Sequence, residues 1–310
     1  MTTFHGSCHD SLKEIEGLLG IANGNSALIA EQRPTQGARG PMLTNTICFI
    51  NQKGGCGKSS SCLHLAGRFA AIGMRVLVID ADPQGSISQG FFGSALIENL
   101  PANETLAAVF ADDEFTAISS LLMPTPFDRL SVIRANSHLA KHNIPQPENS
   151  GMRQFALSTF LETASGFDLI LIDCPPNLYQ CSWNALLASN FVVIPVPPED
   201  FATQGLRTVH QAIEQARLLQ PALKLMGHLV IRADNRLLVH RSYEQQLREL
   251  YGTTVFSTVI PEASAFKVAL SCRQPVNVYA PSSKGAQQMS HLADEILHRI
   301  SEADEKRRTA

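Results

Sequence analysis

The chain has 310 residues, 44% of them hydrophobic and 17% charged, which is enough apolar material for a sizeable core and argues against global disorder. Its longest apolar runs, such as residues 191–196, are far shorter than the ~20 residues that a membrane-spanning helix needs. The seven cysteines form no C-x-x-C pair, which argues against a disulfide scaffold or a common zinc site. We therefore expect a cytoplasmic protein without a secretory signal.

Charge is unevenly distributed along the chain although the net charge is only −3. Residues 77–130 contain eight acidic side chains and one basic side chain, whereas residues 201–290 contain ten basic and five acidic side chains. Such asymmetry is compatible with a face that binds a polyanion, and equally with two ordinary solvated surfaces. Charge alone favours the second interpretation.

The predicted elements begin after an N-terminal extension over residues 1–44, which is rich in Gly, Asn, Gln and Pro and has one short helix over 11–19. The main domain is expected over residues 45–301, followed by a charged tail over 302–310. Short Val/Ile/Leu runs predict strands, and apolar residues at helical spacing predict helices. The strands are expected at 46–51, 75–80, 167–173, 190–196, 223–232 and 253–260, and the helices at 59–72, 179–188, 203–219 and 237–251.

Alternation of buried strands with helices indicates a doubly wound α/β fold, with a mostly parallel central sheet and helices on both faces. Ligands of such folds bind beyond the carboxyl ends of the strands. Three of the predicted strands end there in a polar residue, namely Asn51, Asp80 and Asp173. These side chains are expected to meet at one edge of the sheet.

The segment QKGGCGKSS (52–60) lies between the first strand and the first helix, which is the setting of a phosphate-binding loop. Its glycines let backbone amides approach an anion, Lys58 can reach the β- and γ-phosphates, and Ser59 can bind Mg²⁺. Cys56 is interpreted as a small space-filling residue, with redox sensing as the alternative. The predicted ATP contacts in this loop are Lys53, Gly54, Gly55, Cys56, Gly57, Lys58, Ser59 and Ser60.

The loop departs from the usual G-x-x-x-x-G-K-[ST] pattern, because Gln52 stands at the first glycine position and Lys53 follows it. The resulting K-G-G-x-G-K-[ST] resembles the deviant phosphate loop of the ParA/MinD class of dimerising ATPases. The resemblance implies that Lys53 reaches across a dimer interface to the partner's nucleotide. There a cation would stabilise transition-state charge as an arginine finger does.

Two acidic motifs extend the resemblance to the ParA family. RVLVIDADPQG (75–85) is similar to its D-x-D-P-Q-G motif, which implies that Asp80 lies near the metal and that Asp82 positions the attacking water. FDLILIDCPPN (167–177) is similar to its Walker B strand and switch II, which implies that Asp173 holds Mg²⁺ through a water. The expected catalytic residues are Lys53, Lys58 and Asp82, and the expected magnesium residues are Ser59, Asp80 and Asp173.

The C-terminal half continues the resemblance, which covers about residues 46–300. PVPPEDFATQGLRTV (195–209) and residues 255–287 are similar to the later ParA motifs, the base-side loop and the closing helix. Pro261 and Glu262 are thereby expected to border the adenine. Glu262 stands where many relatives have arginine, and Val268 where they have glutamate, which questions the base-side contacts but not the phosphate chemistry.

The resemblance implies a Soj-like partitioning ATPase with ATP and Mg²⁺ as cofactors and slow, partner-stimulated hydrolysis. ATP would join two copies into a homodimer that binds double-stranded DNA without sequence preference and associates with the nucleoid. A ParB-like or cargo-adaptor protein would stimulate hydrolysis. Its cargo would be a plasmid, a chromosome region or a protein assembly. The candidate DNA contacts are Arg236, Arg241, Lys267, Arg273 and Lys284.

Three alternatives remain open at this stage. A MinD-like switch would need a basic, bulky-apolar terminal helix for membrane binding, whereas residues 292–310 carry five acids and no Trp or Phe. A regulatory ATPase of a secretion or cellulose-synthesis machine would retain hydrolysis without binding DNA. A metal-cluster carrier would need a second cysteine to accompany Cys174. Residues 1–44 are too short for a helix-turn-helix domain, so binding to a specific operator is not expected.

Overall fold

The computed structural model describes residues 44–111, 116–198 and 203–308. For residues 203–204 and 307–308 it describes the backbone only. Residues 1–43 of the predicted N-terminal extension, including its helix over 11–19, lie outside these ranges. Thr44 marks the start of the described chain, and its hydroxyl donates a 2.8 Å hydrogen bond to the Phe167 carbonyl. The chain then enters the central sheet directly.

The described residues form a seven-stranded sheet in the order β3-β4-β2-β5-β1-β6-β7. All neighbouring strands are parallel except β3 and β4, which pair antiparallel at one edge. The prediction of a doubly wound, mostly parallel α/β fold is confirmed. The strands are β1 Asn45–Phe49, β2 Val76–Asp80, β3 Leu122–Pro124, β4 Leu130–Ile133, β5 Leu169–Asp173, β6 Phe191–Val196 and β7 Lys224–Val230.

Helices connect the strands and cover both faces of the sheet. Short 3₁₀ turns lie between them, chiefly over residues 102–110 and 137–155. The α-helices are α1 Lys58–Ala71, α2 Ser86–Phe92, α3 Ser94–Glu98, α4 Ile118–Leu121, α5 Ala156–Glu162, α6 Gln180–Leu187, α7 Thr203–Leu219, α8 Leu238–Tyr251, α9 Ser264–Ser271, α10 Val276–Tyr279 and α11 Lys284–Arg308.

Each face of the sheet has its own hydrophobic core, because successive strand residues point to opposite sides. Phe49 of β1 packs in the core that contains α1 and α11, together with Phe69 and Ile296. Cys48, one position earlier, packs in the core that contains α6 and α7, together with Leu186. Burial on both faces explains why the strands read as continuous apolar runs rather than as an alternating pattern.

The structure corrects one predicted strand and adds two strands that were not predicted. The segment over 253–260 is not a strand: Gly252–Thr254 is a 3₁₀ turn, and Val255 makes a single bridge to His228. Its apolar pattern reflects packing, since Val255 and Phe256 are buried without extended pairing. Strands β3 and β4 were missed because each is at most four residues long. The predicted helices are displaced by no more than one residue at either end.

The last helix extends beyond the predicted end of the main domain. Helix α11 continues without a break to Arg308 and so passes the predicted boundary at residue 301. Leu292, Ile296 and Ile300 lie on its buried side, with exposed fractions of 8% or less. In the described part of the chain, no helix combines the length and the apolar composition that crossing a bilayer would require.

Candidate nucleotide site

Three adjacent strands bring the predicted polar residues to one edge of the sheet. Strand β5 lies between β2 and β1, and Asp173 is the register partner of both Asp80 and Phe49. Asn51 follows β1 by two residues at the same edge. The expected meeting of Asn51, Asp80 and Asp173 is therefore present in the fold, at the carboxyl ends of parallel strands.

Asn51 anchors the phosphate-binding loop, a role that was not predicted. Its side-chain amide donates a 2.7 Å hydrogen bond to the Pro195 carbonyl at the end of β6. Its side-chain oxygen accepts a 3.0 Å hydrogen bond from the Lys53 amide. Asn51 is 7% exposed, so both contacts are sheltered from water. The sequence signal was a polar residue immediately after an apolar strand and before the glycines.

The loop itself needs glycine at two of its positions. Gly55 and Gly57 have φ angles of +68° and +80°, a region that other residues rarely adopt. Gly57 is also closely packed: a Cβ atom there would lie 2.3 Å from Cδ1 of Ile231, which follows β7. Helix α1 starts at the next residue, so its unpaired amides face the loop.

Lys58 is held inside this loop. Its side chain is buried, and Nζ donates hydrogen bonds of 2.9 Å to the Asn51 carbonyl and 3.2 Å to the Lys53 carbonyl. Nζ also lies 3.8 Å from Sγ of Cys56. Burial raises the pKa of the Cys56 thiol, and the ammonium of Lys58 only partly opposes this effect. A fully buried thiol with a raised pKa favours the space-filling interpretation over redox sensing.

Asp80 is fully buried and well supplied with hydrogen bonds. Ser88 of α2 donates to it twice, from the backbone amide at 2.8 Å and from the hydroxyl at 2.7 Å. The amide of Asp82 donates to its other oxygen at 3.2 Å. Burial raises the pKa of Asp80 to about 7, and the Ser88 hydrogen bonds act in the opposite direction. Ser88 was not predicted, because nothing in the local pattern connects it to an aspartate eight residues earlier.

Asp173 provides the test of whether this site fits a divalent cation. Neither of its fully buried carboxylate oxygens accepts a hydrogen bond of normal geometry from the described residues, although the Ser59 side chain is close enough to lower its pKa. Burial nevertheless raises that pKa well above the ordinary value, and the charge of Asp80 raises it further. A buried, unsatisfied carboxylate beside a second one is what a hard cation with oxygen ligands would satisfy. Asp173 therefore fits Mg²⁺, with Ser59 and the hydrogen-bonded Asp80 beside it.

Asp82 lies just beyond the end of β2. It is 8% exposed, and one of its oxygens accepts a 2.9 Å hydrogen bond from the Gln84 amide. Burial raises the pKa of Asp82, opposed by that hydrogen bond and by the charge of Lys58.

The base-side residues form a charged cluster. Glu262 accepts a 2.9 Å hydrogen bond from Nε of Arg232 and forms a 2.7 Å ion pair with Lys267. These cations, Lys267 first, lower the pKa of Glu262. Pro261 pairs with Ala233 in a parallel bridge, which brings this loop beside the end of β7. Arg232 was not predicted, because it belongs to none of the ParA-like motifs in the sequence.

The candidate DNA contacts differ in how free their charges are. Arg236 is 89% exposed but paired with Asp234 at 2.7 Å, and Lys267 is paired with Glu262. Arg273 has a φ of +55°, and its guanidinium lies against Gly93. Arg241 on α8 and Lys284 at the start of α11 are exposed. Within the described residues, neither Arg241 nor Lys284 forms an ion pair.

Cys174, which the cluster-carrier alternative would use, is fully buried beside Cys48. Burial raises the pKa of its thiol well above the ordinary value. Metal binding requires the thiolate. These features oppose a role for Cys174 as a cluster ligand.

The geometry defines a P-loop ATPase of the deviant type, and comparison with known proteins gives the family. Residues 44–225 match the family model described as an AAA domain. The chain is 35% identical over 261 residues to the chromosome-partitioning ATPase Soj of Thermus thermophilus, covering 83% of this chain and 97% of that protein. It is 33% identical over 255 residues to the sporulation initiation inhibitor protein Soj of Bacillus subtilis, covering 81% and 97%. The chain belongs to the Soj/ParA family of partitioning ATPases.

A solved structure supports the same conclusion about fold and cofactors. Cobyrinic acid a,c-diamide synthase from Mycobacterium smegmatis, with bound ADP and magnesium, superposes with a TM-score of 0.69 at 26% identity, over 84% of this chain and 96% of that one. The expectations of an ATPase with ATP and Mg²⁺ as cofactors are thereby confirmed. The role of each site residue stays a prediction.

Proposed function

We propose that this protein is an ATP-dependent dimerising ATPase that binds double-stranded DNA without sequence preference and positions a DNA or protein cargo. A ParB-like or cargo-adaptor partner stimulates its hydrolysis. The observation that carries the proposal is the 35% identity to a chromosome-partitioning Soj, which spans 97% of that relative. The family's phosphate loop is complete here, including the early Lys53.

The chain's own residues account for nucleotide binding. The amides of the loop and of the start of α1 receive the phosphates, and Lys58 supplies the main cation. Nζ of Lys58 already lies at the loop, held by the Asn51 and Lys53 carbonyls. A bound Mg²⁺ would be held by Ser59 and, directly or through water, by Asp80 and Asp173, and it would offset the charge of the phosphates.

Asp82 and Lys53 complete the proposed mechanism. Asp82 orients the attacking water and accepts its proton, for which a carboxylate with a raised pKa is suited. Lys53 acts on the nucleotide of the second copy, so hydrolysis depends on dimerisation. The base-side residues Pro261 and Glu262 lie beside the end of β7, next to the loop.

The proposed DNA surface binds more tightly in the dimer than in a single copy. Exposed cations such as Arg241 and Lys284 bind phosphates weakly when alone, and pairing two copies doubles their number on one particle. ATP thereby controls affinity for DNA without a change of fold. Nucleoid association in the cell follows from such binding.

The experiment that tests this proposal reverses one exposed charge. We expect Arg241→Glu to weaken ATP-dependent binding of two unrelated duplexes equally, with basal ATP hydrolysis retained. Lys141→Glu is the matched control, because Lys141 is also exposed but lies in a 3₁₀ turn outside the basic region. Fluorescence anisotropy measures both. Equal loss in the two variants, or loss in neither, would contradict the proposed surface.

The same preparations separate the alternatives. ATP hydrolysis without any duplex binding would favour the regulatory ATPase of a secretion or cellulose-synthesis machine. ATP-dependent binding to anionic vesicles would favour the MinD-like switch. Against that switch, the apolar residues of α11 that it would insert, Leu292, Ile296 and Ile300, are buried in the core.

A further inference from the structure

Arg232 has an unusual backbone conformation and contacts the phosphate-binding loop. It follows β7 by two residues and has a φ of +57°, in a region that residues with a Cβ seldom adopt. The preceding residue, Ile231, packs against Gly57 of the loop. Strained backbone of this kind persists where the surroundings fix it, and it is often found at functional sites.

The Arg232 guanidinium joins the loop to the base-side cluster. Its Nη1 donates a 3.1 Å hydrogen bond to the carbonyl of Gly55, and its Nε donates a 2.9 Å hydrogen bond to Glu262. Glu262 is held in turn by Lys267 at 2.7 Å. Arg232 and Glu262 are partly sheltered, at 41% and 35% exposed, whereas Lys267 is 74% exposed.

The contact with the Gly55 carbonyl fixes a peptide plane. In a planar trans peptide the carbonyl of one residue and the N–H of the next point in opposite directions. A carbonyl drawn towards Arg232 therefore turns the N–H of Cys56 to the other side. Gly55, which has no Cβ and sits at φ +68°, could allow this peptide to rotate if nothing held it.

We propose that Arg232 is a positioning residue for ATP binding: it holds the Gly55–Cys56 peptide so that the Cys56 N–H faces the phosphates. Glu262 keeps the Arg232 guanidinium in place by occupying its Nε. Only arginine offers donors in a fixed fork that can serve the carbonyl and the carboxylate together. The inference rests on ATP binding at this site and is independent of DNA binding and of any partner.

Glu262, one of the two base-side positions at which this chain departs from the ParA resemblance, thereby acquires a role. An acid at position 262 is complementary to an arginine at position 232, and their ion pair is formed here. Lys267 forms a second ion pair with the same carboxylate, at 2.7 Å.

The test is a steady-state and binding analysis of four full-length variants. We expect Arg232→Met to raise both the Kd and the KM for MgATP about tenfold, with kcat at saturating ATP changed less than twofold. Arg232→Lys should not rescue the affinity, because a single ammonium nitrogen replaces the two separate nitrogens, Nε and Nη1, that reach the carboxylate and the carbonyl. Glu262→Gln should raise KM about threefold. Lys224→Met is the control, because Lys224 lies at the opposite end of β7 from Arg232, and it should change KM less than twofold.

A comparison of ATP with GTP distinguishes loop positioning from contact with the base. If Arg232 acts through the loop, Arg232→Met weakens both nucleotides by the same factor and leaves their ratio unchanged. An unchanged KM for ATP, rescue by Arg232→Lys, or a change confined to the ATP-to-GTP ratio would overturn the proposal. Thermal unfolding of each variant, together with the KM effect of Glu262→Gln, keeps the test valid if Arg232→Met folds poorly.

Discussion

At the scale of single residues, the two lysines of the phosphate loop are predicted to act at different steps. Nζ of Lys58 lies within the loop and donates to the carbonyls of Asn51 and Lys53. Lys53 lies near the start of the loop and is only partly buried. Lys58→Ala should lower ATP affinity at least ~10-fold, because the β- and γ-phosphates lose their main protein cation. Calorimetric titration measures this loss.

Lys53→Ala is the natural comparison for Lys58→Ala. It should bind ATP as a monomer with nearly unchanged affinity and should lose dimer-dependent hydrolysis. An unchanged affinity in Lys58→Ala would contradict the loop assignment. Full stimulated hydrolysis in Lys53→Ala would contradict the role of this lysine across the interface.

Asp82 allows a sharper test of the chemistry. Asp82→Ala should bind ATP, dimerise and stall, because the water loses the carboxylate that orients it. Light scattering should then show a dimer that persists with ATP and is absent with ADP. Asp168→Ala serves as a control, since Asp168 pairs with Arg75 at the opposite end of the strands. Normal turnover in Asp82→Ala would refute the role of Asp82.

The residues of the site differ in how far the sequence could predict them. Asp80 and Asp173 were predictable because each ends an apolar run abruptly, and parallel strands align such ends. Arg232 was not, since its contact with Gly55 joins residues 177 positions apart. A hydrogen bond of that kind has no local pattern, and it follows only from the placement of β7 beside the loop.

At the scale of elements, long buried strands were predicted well and short ones were not. Strands β1, β5 and β6 each have a continuous apolar run that only burial on two faces explains. Strands β3 and β4 have three and four residues, and β3 ends at Pro124. Residues 253–260 have the apolar content of a strand, yet they pack in the core with only a single bridge, at Val255. Composition alone cannot distinguish such a segment from a strand.

A pair of histidines connects three elements and predicts a pH dependence. Nε2 of the half-buried His210 on α7 lies 2.9 Å from Nε2 of the buried His228 on β7. The Tyr251 ring of α8 stacks on His210 and lies tilted against His228. Burial, with a further contribution from His210, lowers the pKa of His228 to about 3. A depressed pKa means that the unfolded chain takes up the proton first. Stability from this group is therefore present above about pH 6.5 and is lost as pH falls towards 3.

The free energy of unfolding of His228→Gln should depend less on pH in the acidic range than that of the unmodified protein. Between pH 6.5 and 5, one such histidine contributes a loss of about 2 kcal/mol in the free energy of unfolding, at ~1.4 kcal/mol per pH unit. His228→Gln should remove this contribution, whereas that of His64, whose pKa burial also lowers to about 3, should remain. His298→Gln, at an exposed position on α11, should retain both contributions. Urea unfolding at several pH values measures the slopes, and identical slopes in all three proteins would show that His228 is not responsible.

At the scale of the whole molecule, the phosphate chemistry and the basic surface are expected to be coupled by dimerisation alone. The described chain is one α/β body with its nucleotide residues at the carboxyl edge of the sheet. Two of its exposed cations, Arg241 and Lys284, lie in the C-terminal half. The uneven charge of the sequence indicated this region, but it could not show that Arg236 and Lys267 are engaged in ion pairs.

ATP-dependent binding to DNA without sequence preference is tested most directly with the full-length protein and duplex DNA. Binding is measured with ATP, with ADP and without nucleotide, over a series of salt concentrations. We expect tight binding with ATP only, equal for unrelated sequences. The logarithm of the affinity should fall steeply and linearly with the logarithm of the salt concentration. Binding that is equally tight without nucleotide, insensitive to salt, or confined to one sequence would contradict this expectation.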